Sequence, residues 1–157
     1  MKRLLAFAAI TILACAAATT LLAQNTLVGT WKLNIAKSKF DMNPAPKSVT
    51  RTVESQGDKF KYTFEGVAAD GSSVNYTFTV SYDGKDYPIT GSGAPAGADT
   101  ITIKRVTPSS YASVLKKAGQ PVLTTTAKVS KDGKITTLTQ NPVSGTGPTN
   151  TLIFEKQ

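Results

Sequence analysis

Side chains able to do acid-base or nucleophilic chemistry are few. The chain has 157 residues and no histidine. That removes the commonest general base, the commonest metal ligand and every Ser-His or Cys-His nucleophile. The single cysteine, Cys15, falls in an apolar N-terminal stretch. A mature chain starting beyond it has no disulfide, no thiolate and no zinc-thiolate cluster. Carboxylate, lysine and tyrosine remain, and they gather most densely at Asp83-Gly84-Lys85-Asp86-Tyr87. Those types can exchange protons, and the carboxylates can touch a cation, but they fall short of the ligand count of a calcium loop. A solvated turn held by its own aspartate hydrogen bonds accounts for the same residues more simply. No catalytic residue, metal or cofactor is assigned, and the chain reads as non-enzymatic.

A second group suits binding better than bond-breaking. Phe60, Tyr62 and Phe64 alternate with Lys59, Lys61 and Glu65, and Tyr76, Phe78 and Val80 alternate with Thr77, Thr79 and Ser81. Period two sends the rings to one face of a strand and the polar residues to the other. Ile101, Ile103 and Tyr111 continue the inward set, with Trp31, the only tryptophan, at one end. Buried tyrosine hydroxyls need partners that a dry core lacks, which favours a cavity over a solid interior. Arg51 and Arg105 stand at inward-phase positions. Inside, they would pair with a ligand carboxylate; outside, they are ordinary surface charge. The order Lys59-Phe60-Lys61-Tyr62 superficially suits nucleic acid, but lysines and rings take opposite faces, so no nucleic-acid partner is expected.

The elements that must position these residues are short strands. After Trp31, Leu33 and Ile35 comes a proline-bearing stretch, Ala36 to Lys47, with room for one helical turn near Lys37-Ser38-Lys39-Phe40. Val49 to Glu54, Lys59 to Glu65 and Val74 to Ser81 follow as strands, then a short edge element at Asp83 to Pro88 and a Gly/Ala/Pro loop at Gly91 to Gly97. Further strands cover Thr100 to Lys104, Tyr111 to Lys116, Val122 to Ser130, Lys134 to Gln140 and Leu152 to Lys156. Asp132-Gly133 carries the signal of a two-residue type I′ hairpin. The pattern predicts an all-β fold: an antiparallel up-and-down barrel of about eight to ten strands, which also removes exposed edges.

Lys2 and Arg3, the apolar run Leu4 to Leu22 and the small residue Ala23 have the three parts of a secretory signal. The expected division is a signal peptide at 1–23 and one barrel domain at 24–157, exported to a periplasm or secreted. The formal charge of +8 becomes +6 when Lys2 and Arg3 are removed (8 − 2), a solubilising surface that also suits anionic neighbours. Ile12-Leu13-Ala14-Cys15 offers a rival, a lipobox whose cysteine would anchor the protein to a membrane. A retained membrane-spanning helix is a third reading.

Gly29-Thr30-Trp31-Lys32-Leu33 resembles the Gly-x-Trp opening of the calycin superfamily, the lipocalins and intracellular fatty-acid-binding proteins. Together with Lys37-Ser38-Lys39-Phe40 and the stretch from Asp83 to Gly91, it also resembles a group of small exported bacterial proteins. The calycin resemblance implies a Trp that seals the barrel floor and a cavity for a small hydrophobic ligand. Three departures bear on it. The prolines of Ala36 to Lys47 leave no space for the helix-turn-helix of the fatty-acid-binding proteins, and the last strand lacks their Arg-x-Tyr pair. The lipocalin arginine that packs on the Trp has only Lys156 as a substitute, and lysine does not stack equivalently. The expected function is a lipocalin-like barrel holding a small hydrophobic or amphipathic ligand. Its alternative is a solid-core structural or interaction module of the cell envelope.

Overall fold

In the computed structural model, residues 26–157 are described. The proposed signal, its cleavage position and Cys15 lie outside them. The strands are β1 (Gly29–Leu33), β2 (Lys39–Phe40), β3 (Ser48–Gln56), β4 (Lys59–Val67), β5 (Ser73–Val80), β6 (Asp83–Pro88), β7 (Thr90–Ser92), β8 (Thr100–Thr107), β9 (Ser110–Lys117), β10 (Gln120–Val129), β11 (Ile135–Asn141) and β12 (Asn150–Lys156). All belong to one antiparallel sheet in the order β6-β8-β9-β10-β11-β12-β1-β3-β4-β5-β7, with β2 added to β12. This is the expected all-β barrel, nearly closed.

Two strands exceed the expected number. β2 has two residues and β7 three, too short for any period to register. β2 occupies the site of the expected helical turn. Lys39 and Phe40 pair with Thr151 and Asn150 instead. Ser38 fixes that choice, because its hydroxyl donates to the Asn34 carbonyl (2.6 Å) and accepts from the Ile153 N–H (2.9 Å). One isolated helical turn leaves its backbone groups unpaired, whereas docking on β12 pairs them. β7 likewise takes the start of the expected Gly/Ala/Pro loop, pairing Thr90, Gly91 and Ser92 with Thr77, Tyr76 and Asn75.

The hairpin turns differ from expectation in kind. Between β10 and β11 the Gly133 N–H donates to the Ser130 carbonyl at 2.9 Å, and Gly133 alone among residues 130–134 has positive φ. A type I′ turn needs two such residues. It occurs at Ala118-Gly119, where φ is +50° and +78° and Lys117 pairs with Gln120. The Asp99 carboxylate holds Ala118 there by accepting its N–H at 2.8 Å.

Packing follows the period-two pattern. Phe60, Tyr62 and Phe64 of β4, Tyr76, Phe78 and Val80 of β5, and Ile101 and Ile103 of β8 are buried. The sheet ends, β6 and β7, leave a seam beside β5 that is bridged by rings. Tyr82 stacks on Phe60 (5.0 Å between centroids) and against Tyr111 (4.8 Å), tying β4 to β9. On the outside, the Lys116 ammonium donates to both Asp86 oxygens (2.7 and 2.8 Å) and the Thr102 hydroxyl adds a third bond to Asp86. Asp83 accepts from the Lys85 N–H (3.0 Å) and the Tyr87 hydroxyl (3.1 Å). The acid-base cluster therefore clamps an edge strand, which also protects that edge.

Candidate functional site

The site is built from the barrel floor upward. Trp31 is fully buried and its indole N–H donates to the Leu27 carbonyl at 2.9 Å. Two cations pack on its ring: Cζ of Arg51 lies 4.9 Å from the centroid and Nζ of Lys156 lies 5.3 Å from it. Lys156 thus does pack on the Trp, its ammonium fixed by the Thr26 carbonyl at 3.0 Å. Arg51 packs also on Phe154, at 4.8 Å.

Arg51 decides the electrostatics of the interior. Only 3% of it is exposed, and its Nη2 donates to the hydroxyl of the fully buried Thr136 at 3.0 Å. Its Nε has no hydrogen-bond partner among the described residues. The ion pairs there are Lys37–Glu155, Lys61–Glu54, Lys85–Asp83 and Lys116–Asp86, so no carboxylate pairs with either arginine. Burial lowers the Arg51 pKa to about 10, partly offset by Tyr62, Tyr82 and Tyr76. It remains cationic at neutral pH. A buried cation with no counter-ion costs several kcal/mol of desolvation, on the order of magnitude that an arriving anion would recover.

Above Arg51 lies a cavity of about 510 Å³, within the range of small-molecule sites. One wall is aromatic. Tyr62 stacks on Phe78 (5.0 Å), Phe64 on Tyr76 (4.6 Å), and Phe64 on Phe78 (6.0 Å). The facing wall carries Thr125 and Ala127 of β10 and Thr136, Leu138 and Gln140 of β11. The rings and the shorter, non-aromatic side chains opposite them leave space between. The Tyr62 and Tyr82 hydroxyls lie 2.7 Å apart, sharing a hydrogen bond. Burial raises the pKa of Tyr62, Tyr76, Tyr82 and Tyr111, so all four are neutral phenols at physiological pH.

The mouth is crossed by the strap between β2 and β3, whose Asn43, Pro44 and Pro46 line the cavity. Buried Asn150 holds the strap. Its amide donates to Asn43 Oδ1 (2.6 Å) and Gln140 Oε1 (3.1 Å), and its carbonyl accepts the Met42 N–H (2.9 Å). The far end is fixed where the Lys47 N–H meets the Val67 carbonyl at 2.9 Å. Gly66 permits that approach, because a Cβ there would stand 2.1 Å from the Ser48 carbonyl oxygen.

Of the residues singled out from sequence, Arg51, Tyr62, Phe64, Tyr76, Phe78, Ile101, Ile103 and Tyr111 line the cavity. Trp31, Phe60 and Arg105 do not. Trp31 lies under Arg51, and Phe60 packs under Tyr82. Arg105 holds its Cζ 5.5 Å from the ring centroids of both Tyr82 and Tyr111. Neither Asp86 nor Tyr87 lines the cavity. Sequence reading missed the β10–β11 wall and Asn150. The spacing Thr125, Ala127, Val129 and Thr136, Leu138, Gln140 was a period-two signal, but one in which threonine, alanine and glutamine dilute Val129 and Leu138.

These features define the molecule as a lipocalin-like, fatty-acid-binding-protein-like β-barrel. Among solved structures, the chain is similar to a point mutant of the fluorescent protein UnaG. The match has 15% identity and a TM-score of 0.57, and covers 85% of this chain and 98% of that one. Lobster apocrustacyanin A1 also matches, at 15% identity and a TM-score of 0.48, over 89% of this chain and 66% of that one. At such identity the likeness to UnaG is one of fold. No family model matches the chain, and no curated protein does.

Proposed function

We propose that this protein is a non-enzymatic carrier that encloses one small amphipathic molecule. Its apolar body would lie along Tyr62, Phe64, Tyr76 and Phe78, and an anionic group, a carboxylate in the simplest case, would meet Arg51. The observation that carries this reading is an uncompensated, buried arginine at the base of an apolar cavity. A filled core would leave no such space. The N-terminal sequence supports an exported carrier, released after Ala23 or anchored through Cys15.

The test is a titration of the purified protein with a fluorescent fatty carboxylate, followed by probe emission and by Trp31 emission. Saturable binding at one probe per chain is expected. Arg51→Met should weaken it by about tenfold to a hundredfold, the loss of one charge-assisted contact. Absence of saturable binding to the wild-type chain overturns the proposal.

A further inference from the structure

Arg105 and Tyr111 form a second group of buried polar atoms that the Arg51 contact does not use. Tyr111 is 5% exposed, lines the cavity, and its hydroxyl has no hydrogen-bond partner among the described residues. Nε and Nη2 of Arg105 are likewise buried without a partner among the described residues, and Arg105 lies over the Tyr111 ring, outside the cavity lining. In the sheet order, β8 with Arg105 and β3 with Arg51 are separated by β9, β10, β11, β12 and β1. The two arginines therefore project from different walls, and Tyr62 experiences the field of both. The one carboxylate residue in the cavity lining is Asp70, which is exposed.

We infer that Tyr111, backed by Arg105, is a second anion subsite, so that the ligand is an amphipath with two anionic groups, one for Arg51 and one for Tyr111. The inference rests on the proposed carrier reading and narrows its ligand class. The chemistry is matched on both sides. A carboxylate in the cavity accepts the Tyr111 O–H, and Arg105, which stands behind that phenol and outside the cavity lining, contributes its positive charge. A ligand with one anionic group satisfies Arg51 and leaves the Tyr111 hydroxyl as it is. Arg105 also clamps the seam by packing on Tyr82 and Tyr111. That role explains its position over the rings but not an unpartnered hydroxyl in the cavity wall.

The experiment compares a chain-length series of α,ω-dicarboxylic acids with the matching monocarboxylic acids, by calorimetry on the full mature protein. The expected result is that at least one dicarboxylate binds about tenfold more tightly than its monocarboxylate. Tyr111→Phe keeps the ring and should erase most of that preference, read as the ratio of dicarboxylate to monocarboxylate affinity. Arg105→Met should erase the preference too, with some loss of stability from the seam. Monocarboxylate binding with no dicarboxylate preference at any length overturns the second subsite and leaves the carrier reading intact. A preference that survives both substitutions also overturns it. Failure of both acid series to bind overturns the carrier reading and this inference together.

Discussion

The two walls of the cavity are made from different chemistry. On β4 and β5, rings stack at 4.6 to 5.0 Å between paired positions, and each ring is buried against its neighbour. On β10 and β11, Thr125, Ala127, Thr136 and Leu138 face them without filling the space. The first wall supplies contact area and stability. The second supplies room, and through Thr136 it supplies the bond that orients Arg51. Cross-strand aromatic pairs stabilise a sheet whatever stands opposite, so a barrel with one strong wall tolerates a hollow interior.

The comparison can be broken from either side. The largest effect should come from the aromatic wall: Phe64→Ala removes a ring stacked on both Tyr76 and Phe78 and should cost about 3 kcal/mol or more in denaturant unfolding. An equally large cost for Thr125→Ala would mean that the walls share the load. Next, Ala127→Phe puts a ring where the space is. It should abolish probe binding, by at least about a hundredfold, with little change in stability, because it fills a void and does not overpack a core. Persistent binding would place the ligand elsewhere.

Thr136→Val keeps the shape of a fully buried side chain and removes the acceptor for Arg51. Stability should fall by about 1–2 kcal/mol, the cost of a buried donor left unpaired. Carboxylate affinity should fall while that of an uncharged probe holds. The smallest effect concerns pH. Tyr62, Tyr76, Tyr82 and Tyr111 have pKa values raised by burial. Their contribution is complete below the unfolded tyrosine pKa of about 10 and is lost as pH rises through the folded values. Arg51, with its pKa lowered, has the opposite slope, one group against four. Stability should therefore decline above about pH 10, and Tyr76→Phe should flatten that decline. An unchanged slope would show that the aromatic wall is open to water.

How much was legible follows from the same two walls. Phe60 to Phe64 and Tyr76 to Val80 announce themselves through large apolar residues at period two, so their strands and inward face were readable. The β10–β11 wall alternates just as regularly, but threonine stands on both faces, and the hydrophobic signal vanishes. The position of Arg51 was readable as a phase but not as a contact, because its place between Trp31 and Phe154 is set by pairings from opposite ends of the chain. β2 was unreadable, since Ser38 and β12 create it across 115 residues of sequence separation. The cluster at Asp83 to Tyr87 was the reverse case: dense in reactive types, yet used to pin an edge.

The most direct test of the carrier account is native mass spectrometry of the protein purified from its own host, beside Ala127→Phe prepared in the same way. The account predicts a co-purifying small molecule of defined mass, one per chain, present on the wild type and missing from the variant. A bare protein mass in both preparations, with no saturable uptake of a fatty carboxylate by the wild type, would contradict it.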